Sequence, residues 1–227
     1  LTFTLNRNKL IDLYGDGQDD LTSSLFIGKS LGAIFGYEVS HINPETGVPV
    51  FIDKDGNEVD NPSADDRKIL GYTMENFRMN LANTFTYKKF QVYVSFNGIF
   101  SGKEFGKANN TFAYTTYNTG HSTSAFDVPF WAPDNHTAEY PSPAYTNPSG
   151  VYQIYNNFGH VRLQDLSVSY NITPLVKKWG IKNAKVSASG RNLFYIAPNW
   201  KMSDPEARSA DGISLPRAFT MALNLTF

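Results

Sequence analysis

The chain has 227 residues, and its 20 Lys plus Arg against 21 Asp plus Glu leave a formal net charge of −1. That balance excludes electrostatic attraction to nucleic acid as the main task, the lack of Cys excludes disulfides and thiolate metal sites, and no window nears the ~18 consecutive apolar residues of a transmembrane helix. Charged residues make up only 18% while aromatics reach 15%, with 17 Phe and 13 Tyr, and mean hydropathy is −0.35. Such a chain is either a β-rich secreted module or a membrane β-barrel.

Leu1-Thr2-Phe3-Thr4-Leu5 opens in alternation, with no charged leader or signal core ahead of it, so the chain is expected to be cut from something longer. Leu31, Ala33, Phe35, Tyr37 and Val39 predict an early strand. A long polar connection over about 43–72 follows. Phe77, Met79, Leu81, Asn83, Phe85 and Tyr87 then alternate with Arg78, Asn80, Ala82, Thr84 and Thr86. Lys88 and Lys89 make a tight turn, after which Phe90, Val92, Val94, Phe96, Gly98 and Phe100 alternate with Gln91, Tyr93, Ser95 and Asn97. This is a hairpin of long strands.

A second long connection covers about 102–157. The next strand, 161–170, changes apolar phase between Leu163 and Leu166, which predicts a bulge. After a short turn over 173–183, Ala184, Val186, Ala188 and Gly190 oppose Lys185, Ser187, Ser189 and Arg191. A third long connection, 196–216, leads to Phe219, Met221, Leu223, Leu225 and Phe227 against Thr220, Ala222, Asn224 and Thr226. Helical periodicity is nowhere convincing.

Short and long connections therefore alternate, as the short periplasmic turns and long extracellular loops of outer-membrane barrels do. The apolar strand face also carries no Lys, Arg, Asp or Glu, as lipid demands when a midplane charge costs ~2–4 kcal/mol. The predicted fold class is all-β, a part of a large antiparallel transmembrane β-barrel. With the last strand running down, about seven strands count back to Leu1 at the outer side. Seven is odd, and barrels close with even numbers, so further strands are expected beyond this chain. The alternative is a secreted carbohydrate-binding β-sandwich, which would bury its apolar face against a second sheet.

In this order and spacing the residues resemble the SusC/RagA-like TonB-dependent outer-membrane transporters. The resemblance spans essentially the whole chain. It is carried by Asn6-Arg7-Asn8-Lys9-Leu10-Ile11, by Ile27 to Tyr37 with its spaced glycines, by Arg162-Leu163-Gln164-Asp165-Leu166-Ser167 and by Ser189-Gly190-Arg191-Asn192-Leu193-Phe194. Asp204-Pro205-Glu206 and the closing Pro216-Arg217-Ala218-Phe219 add to it. It implies that residues 1–227 are the C-terminal segment of a 22-stranded barrel, the plug and N-terminal strands being absent. The whole would lie in the outer membrane of a Gram-negative bacterium and import glycan fragments or oligopeptides. Its implied partners are the remaining strands and plug, a SusD-like surface lipoprotein as lid, TonB acting through the plug, the barrel assembly machinery and outer-membrane lipid. No enzymatic activity is implied.

Three candidate sites stand out. Asp53, Asp55 and Asn57 flank Gly56, where the family often carries a calcium loop, and hard oxygen ligands suit Ca²⁺. Aligned on Asp55-Gly56, however, the first ligand position is Phe51 and the twelfth is Pro62, so a solvated Asp-Gly turn is the plainer reading. Tyr114, Tyr117, Trp131, Tyr140, Tyr145 and Tyr152 crowd the longest loop. They are candidates for substrate or lid contact, weighed against packing of a loop that needs a small core of its own. Phe219, Met221, Leu223, Leu225 and Phe227 resemble the signal by which barrels are recognised for insertion. Gly28-Lys29-Ser30 lacks the Gly a phosphate loop needs, Ser23 standing in its place, and His41, His121, His136 and His160 share no metal-ligand spacing.

Overall fold

A computed structural model describes residues 1–109, 129–146, 151–201, 203–208 and 213–227. In chain order the strands are β1 (Thr2–Leu5), β2 (Ala33–Gly36), β3 (Glu38–Ile42), β4 (Pro49–Ile52), β5 (Glu58–Val59) and β6 (Lys68–Tyr72). Then come β7 (Phe77–Tyr87), β8 (Phe90–Phe100), β9 (Lys107–Asn109), β10 (Tyr155–Asn157), β11 (His160–Asn171), β12 (Asn183–Ile196) and β13 (Ala218–Thr226). A 6-stranded antiparallel sheet in the order β1-β7-β8-β11-β12-β13 forms one wall, and its two ends do not meet. Strands of 11 residues, such as β7 and β8, extend about 37 Å and, tilted by roughly 45°, cross a layer about 25 Å thick.

The register fixes which side chains share a face. Phe3 opposes Met79, Leu81 opposes Phe96, Phe96 opposes Leu163, Val168 opposes Ala188, and Ala188 opposes Met221. Paired residues lie on the same side of a sheet, so one face is apolar from β1 to β13, interrupted by Asn83. The opposite face carries Arg78, Asn80, Gln91, Ser95, Asn97, Ser167, Ser169, Lys185 and Asn224. The bulge falls between Leu163 and Asp165, as the phase change predicts, and keeps both faces in phase through β11.

The apolar face is largely bare. Leu81 is 43% exposed, Phe85 58%, Leu223 58% and Met221 82%. No second sheet covers it among the described residues, which overturns the sandwich alternative. Most buried side chains of the wall lie instead on the polar side, among them Ser95, Ile99, Arg162 and Ser169, while Leu163 and Ala184 are buried on the apolar side.

Four expectations are corrected. Residues 31–39 do not form a wall strand: they split into β2 and β3, which pair with β6 and β4 in small separate sheets. A two-residue period reports burial of one face and carries no information about which sheet supplies the partner. The wall accordingly has six strands here rather than about seven. With one crossing fewer, β1 runs toward the long-connection end (Leu5 opposes Phe77, Thr2 opposes Asn80), so Leu1 does not enter from the outer side. The first long connection also starts directly after β1 and runs to β7.

The short connections stay as read. Lys88 takes a positive φ of 53° between β7 and β8, and β11 joins β12 through a short helix, Thr173–Val176, followed by a 3₁₀ turn, Lys177–Trp179. Asn171 N–H donates to the Lys89 carbonyl at 2.9 Å and so ties the two turns together.

Candidate functional site

At the long-connection end, three segments fold over the polar face of the wall and build a charged layer on it. Arg162, on β11, is 2% exposed although its register position points it inward from the wall. Its guanidinium donates from Nε to Glu206 Oε1 at 2.9 Å and from Nη2 to Asp204 Oδ1. Its flat face lies 5.1 Å from the Tyr195 ring, and the Tyr195 hydroxyl donates to the Ser203 carbonyl at 2.6 Å. Asp204 is 1% exposed and also accepts from the amides of Glu206 (3.0 Å) and Leu215 (3.2 Å). His160 Nε2 stands 3.3 Å from Glu206 Oε1, with Nδ1 at 2.8 Å from the Phe158 carbonyl.

The loop between β12 and β13 is thus strapped to the wall. The His160 hydrogen bond above all, then the charge and hydrogen bond of Arg162, hold the Glu206 carboxyl below its ordinary value against desolvation that pushes it up. The motif reading caught Arg162 and Asp204-Pro205-Glu206 separately but not their meeting. A guanidinium between Val161 and Leu163 on the inward face of a strand is the signal that a partner must come from elsewhere, because an unpaired buried charge is not tolerated.

A second pairing extends the layer toward β7. Glu75 accepts from Arg78 Nε at 2.6 Å and from Arg208 Nη2 at 3.2 Å, and Arg208 lies 4.2 Å over the Phe158 ring. Desolvation works to raise the Glu75 carboxyl, but the Arg78 hydrogen bond and the charges of Arg208 and Arg78 prevail and lower it. A cavity of about 290 Å³ opens beside Glu75, lined also by Asn6, Arg7 and Asn76. Further down the same face, Gln91, Tyr93, Ser167, Ser169, Lys185, Ser187 and Asn224 line a shallow groove of about 170 Å³. Lys185 Nζ donates there to Gln91 Oε1 at 2.9 Å. This inner face presents amides, hydroxyls and paired charges.

The loop aromatics separate into two groups. Tyr152 is 3% exposed and packs with Ile42 and Phe51, flanked by Tyr37, Val39, Trp131 and Tyr145. Burial pushes its phenol well up, helped by Tyr140 and Tyr145. Tyr140 is 5% exposed. Tyr152 thus lies in a core that joins the first and second long connections, and both rings are buried. Trp131 donates from Nε1 to the Pro44 carbonyl at 2.8 Å and lies against Gly47, whose φ of +70° and lack of Cβ permit that approach. Tyr145 meets Tyr152 edge-on at 6.1 Å and remains half-buried. Tyr114 and Tyr117 lie outside the described residues.

The acidic turn is held by its own carboxylates. Asp53 accepts from the amides of Asp55 (2.9 Å) and Asn57 (2.7 Å) and from the Asn57 side chain. The Asn57 amide first, then its side chain, lower the Asp53 carboxyl. Asp66 caps the neighbouring turn through Ser63 and the Lys54 amide. Asp55 is exposed, and no group of three or more His, Asp or Glu among the described residues is placed to hold a metal ion. Both carboxylate oxygens of Asp53 accept hydrogen bonds within the turn.

Phe219, Met221, Leu223 and Leu225 stand on the apolar side of β13 and are 77%, 82%, 58% and 40% exposed, and Phe227 is 74% exposed. β13 pairs with β12 along one edge, while its other edge has no strand among the described residues.

No protein-family model matches the chain. A curated protein, "TonB-dependent receptor P3" of Formosa agariphila, is 28% identical and is matched over 99% of this chain and 26% of its own length. In fold the chain is similar to one subunit in a structure of the RagAB peptide transporter, with a TM-score of 0.73, 20% identity and 99% of this chain covered. The RagAB peptide importer gives 0.73 in its closed-closed state and 0.71 in its open-open state, at 20% and 18% identity. This chain spans about a quarter, 26%, of each of those chains. The resemblance to TonB-dependent transporters read from the motifs is borne out, in sequence by the receptor and in fold by the transporter. The relatives are receptors and transporters, not enzymes.

Proposed function

We propose that the chain is a wall segment of an active outer-membrane transporter that imports glycan fragments or oligopeptides, energised by TonB and capped by a SusD-like surface lipoprotein. One observation carries the reading: a single sheet with one face apolar apart from Asn83 and largely bare, and the opposite face polar and roofed by strapped loops. A lipid-facing outside and a hydrated inside explain both at once. The unpaired edges of β1 and β13 would leave backbone N–H and C=O groups unsatisfied in lipid at several kcal/mol each, so further strands close the barrel. In this reading β13, with Phe219, Met221, Leu223, Leu225 and Phe227, is the strand the assembly machinery recognises, docking as an added strand with alternate side chains on one face. Trp131 and Tyr145 are the described loop aromatics left with surface to meet a lid or a substrate.

The test is uptake by cells carrying the full-length transporter. Labelled oligopeptide and glycan pools should accumulate, one in preference to the other, and accumulation should stop when TonB is removed. Uptake that continues undiminished without TonB would refute active transport.

A further inference from the structure

The charges of this chain are segregated along the strand axis. Asp165 aside, every Asp and Glu lies in or beside the three long connections. The opposite, short-turn end has none: neither 86–91 nor 171–185 contains an acidic residue. That end instead carries exposed Lys88, Lys89, Lys177, Lys178 and Lys182. The two turns are neighbours, joined by the hydrogen bond from Asn171 to Lys89, so these lysines form one rim.

Aromatic and aliphatic side chains share the rim and are equally bare. Leu175 is 65% exposed, Trp179 67% and Tyr87 70%. The ammonium of Lys178 lies 5.7 Å from the Trp179 ring and that of Lys88 5.2 Å from the Tyr87 ring. Tyr87 belongs to the apolar face, so the Lys88 ammonium follows the outside of the wall. A ring at the membrane boundary with an ammonium beside it is the arrangement that seats an amphipathic side chain between acyl chains and headgroups.

We infer that this rim docks anionic phospholipid of the periplasmic leaflet, the lysines meeting lipid phosphates while Trp179, Leu175 and Tyr87 enter the boundary between headgroup and acyl chain. The inference rests on the transporter reading for its orientation. Charge complementarity argues for the occupant: neither turn contains a carboxylate, no Asp or Glu among the described residues pairs with these lysines, and a lipid surface supplies several phosphates at one height. Each lysine near an anionic surface favours binding by about fivefold.

The experiment uses the full-length transporter in nanodiscs of phosphatidylethanolamine with or without phosphatidylglycerol. Enrichment of phosphatidylglycerol around the protein is read by mass spectrometry of the retained lipids. Enrichment is expected in the wild type, should weaken as salt rises, and should fall at least tenfold in Lys177→Gln/Lys178→Gln/Lys182→Gln. The charge-matched Lys9→Gln/Lys29→Gln/Lys54→Gln, at the other end, should keep it. Equal loss in both triples, or none in either, overturns the inference. So does unchanged lipid enrichment with impaired uptake in the rim triple, which would place a periplasmic protein there instead. Heat-modifiable migration of each variant reports the barrel separately: a wild type that shows none refutes the membrane reading itself, whereas an intact barrel without enrichment refutes the rim alone.

Discussion

Replacing Arg162 with Met should release the loop between β12 and β13 while leaving the wall intact. The side chain is 2% exposed and its two partners, Asp204 and Glu206, come from that loop. Without it, Asp204 keeps the amides of Glu206 and Leu215 but stays a buried charge, 1% exposed, with no cation. Breaking a buried pair from one side costs about 3–5 kcal/mol, which shifts the docked-to-free equilibrium of the loop by about 10²- to several 10³-fold. Trypsin reads that equilibrium when opening and closing outpace cleavage, and Lys201 and Arg208 lie in the segment. Cleavage there should therefore accelerate by at least a hundredfold in the detergent-solubilised full-length transporter. Heat-modifiable migration should not change, because the ladders between β8, β11 and β12 do not depend on the guanidinium. Combining Arg162→Met with Asp204→Asn should restore much of the protection, since the buried charge at 204 is removed while a side-chain oxygen still accepts from the loop amides. Cleavage within twofold of wild type in Arg162→Met would refute the strap.

The two faces of β13 predict opposite responses to one change: Leu223→Arg should destabilise the barrel in bilayers by about 2–4 kcal/mol if it reaches the midplane, and Asn224→Arg should be nearly neutral, as urea unfolding would show. Deleting Phe227 from the full-length parent, where that residue ends the β13 motif, should cut outer-membrane insertion and leave periplasmic aggregates, whereas a residue that only anchors the boundary would lower stability and leave surface levels near normal. The Glu206 carboxyl is held below its ordinary value of 4.5 by His160 and Arg162, with Asp204 also facing that guanidinium. A carboxylate lowered in this way adds stability above its unfolded value and loses it as pH falls through the folded one. Proteolytic protection of the loop should thus be full at neutral pH and decline below about 4.5.

Much of the wall was legible because a membrane sheet writes its two faces directly into the chain. From Phe77 to Phe100, from Ala184 to Gly190 and from Phe219 to Leu225, alternate residues meet lipid or a polar interior, so the period, the hairpin at Lys88–Lys89 and the bulge near Gln164 all follow from local order. The sorting of long and short connections is local as well. The fate of 31–39 was not, because strands in a small loop sheet obey the same period as strands in the wall, and only pairing with residues 49–52 and 68–72 decides between them. The role of Arg162 was hidden for a related reason. Its partners stand 42 and 44 positions away, across a connection with no period of its own, and nothing in either segment names the other. Tyr140 and Tyr152 likewise carry the composition of a binding surface, and only the packing of one loop on another turns them inward. Alternation is set by the solvent on each side of a strand, which every residue experiences separately; burial of a loop side chain is set by which distant segment arrives to cover it, and that is a property of the folded chain alone.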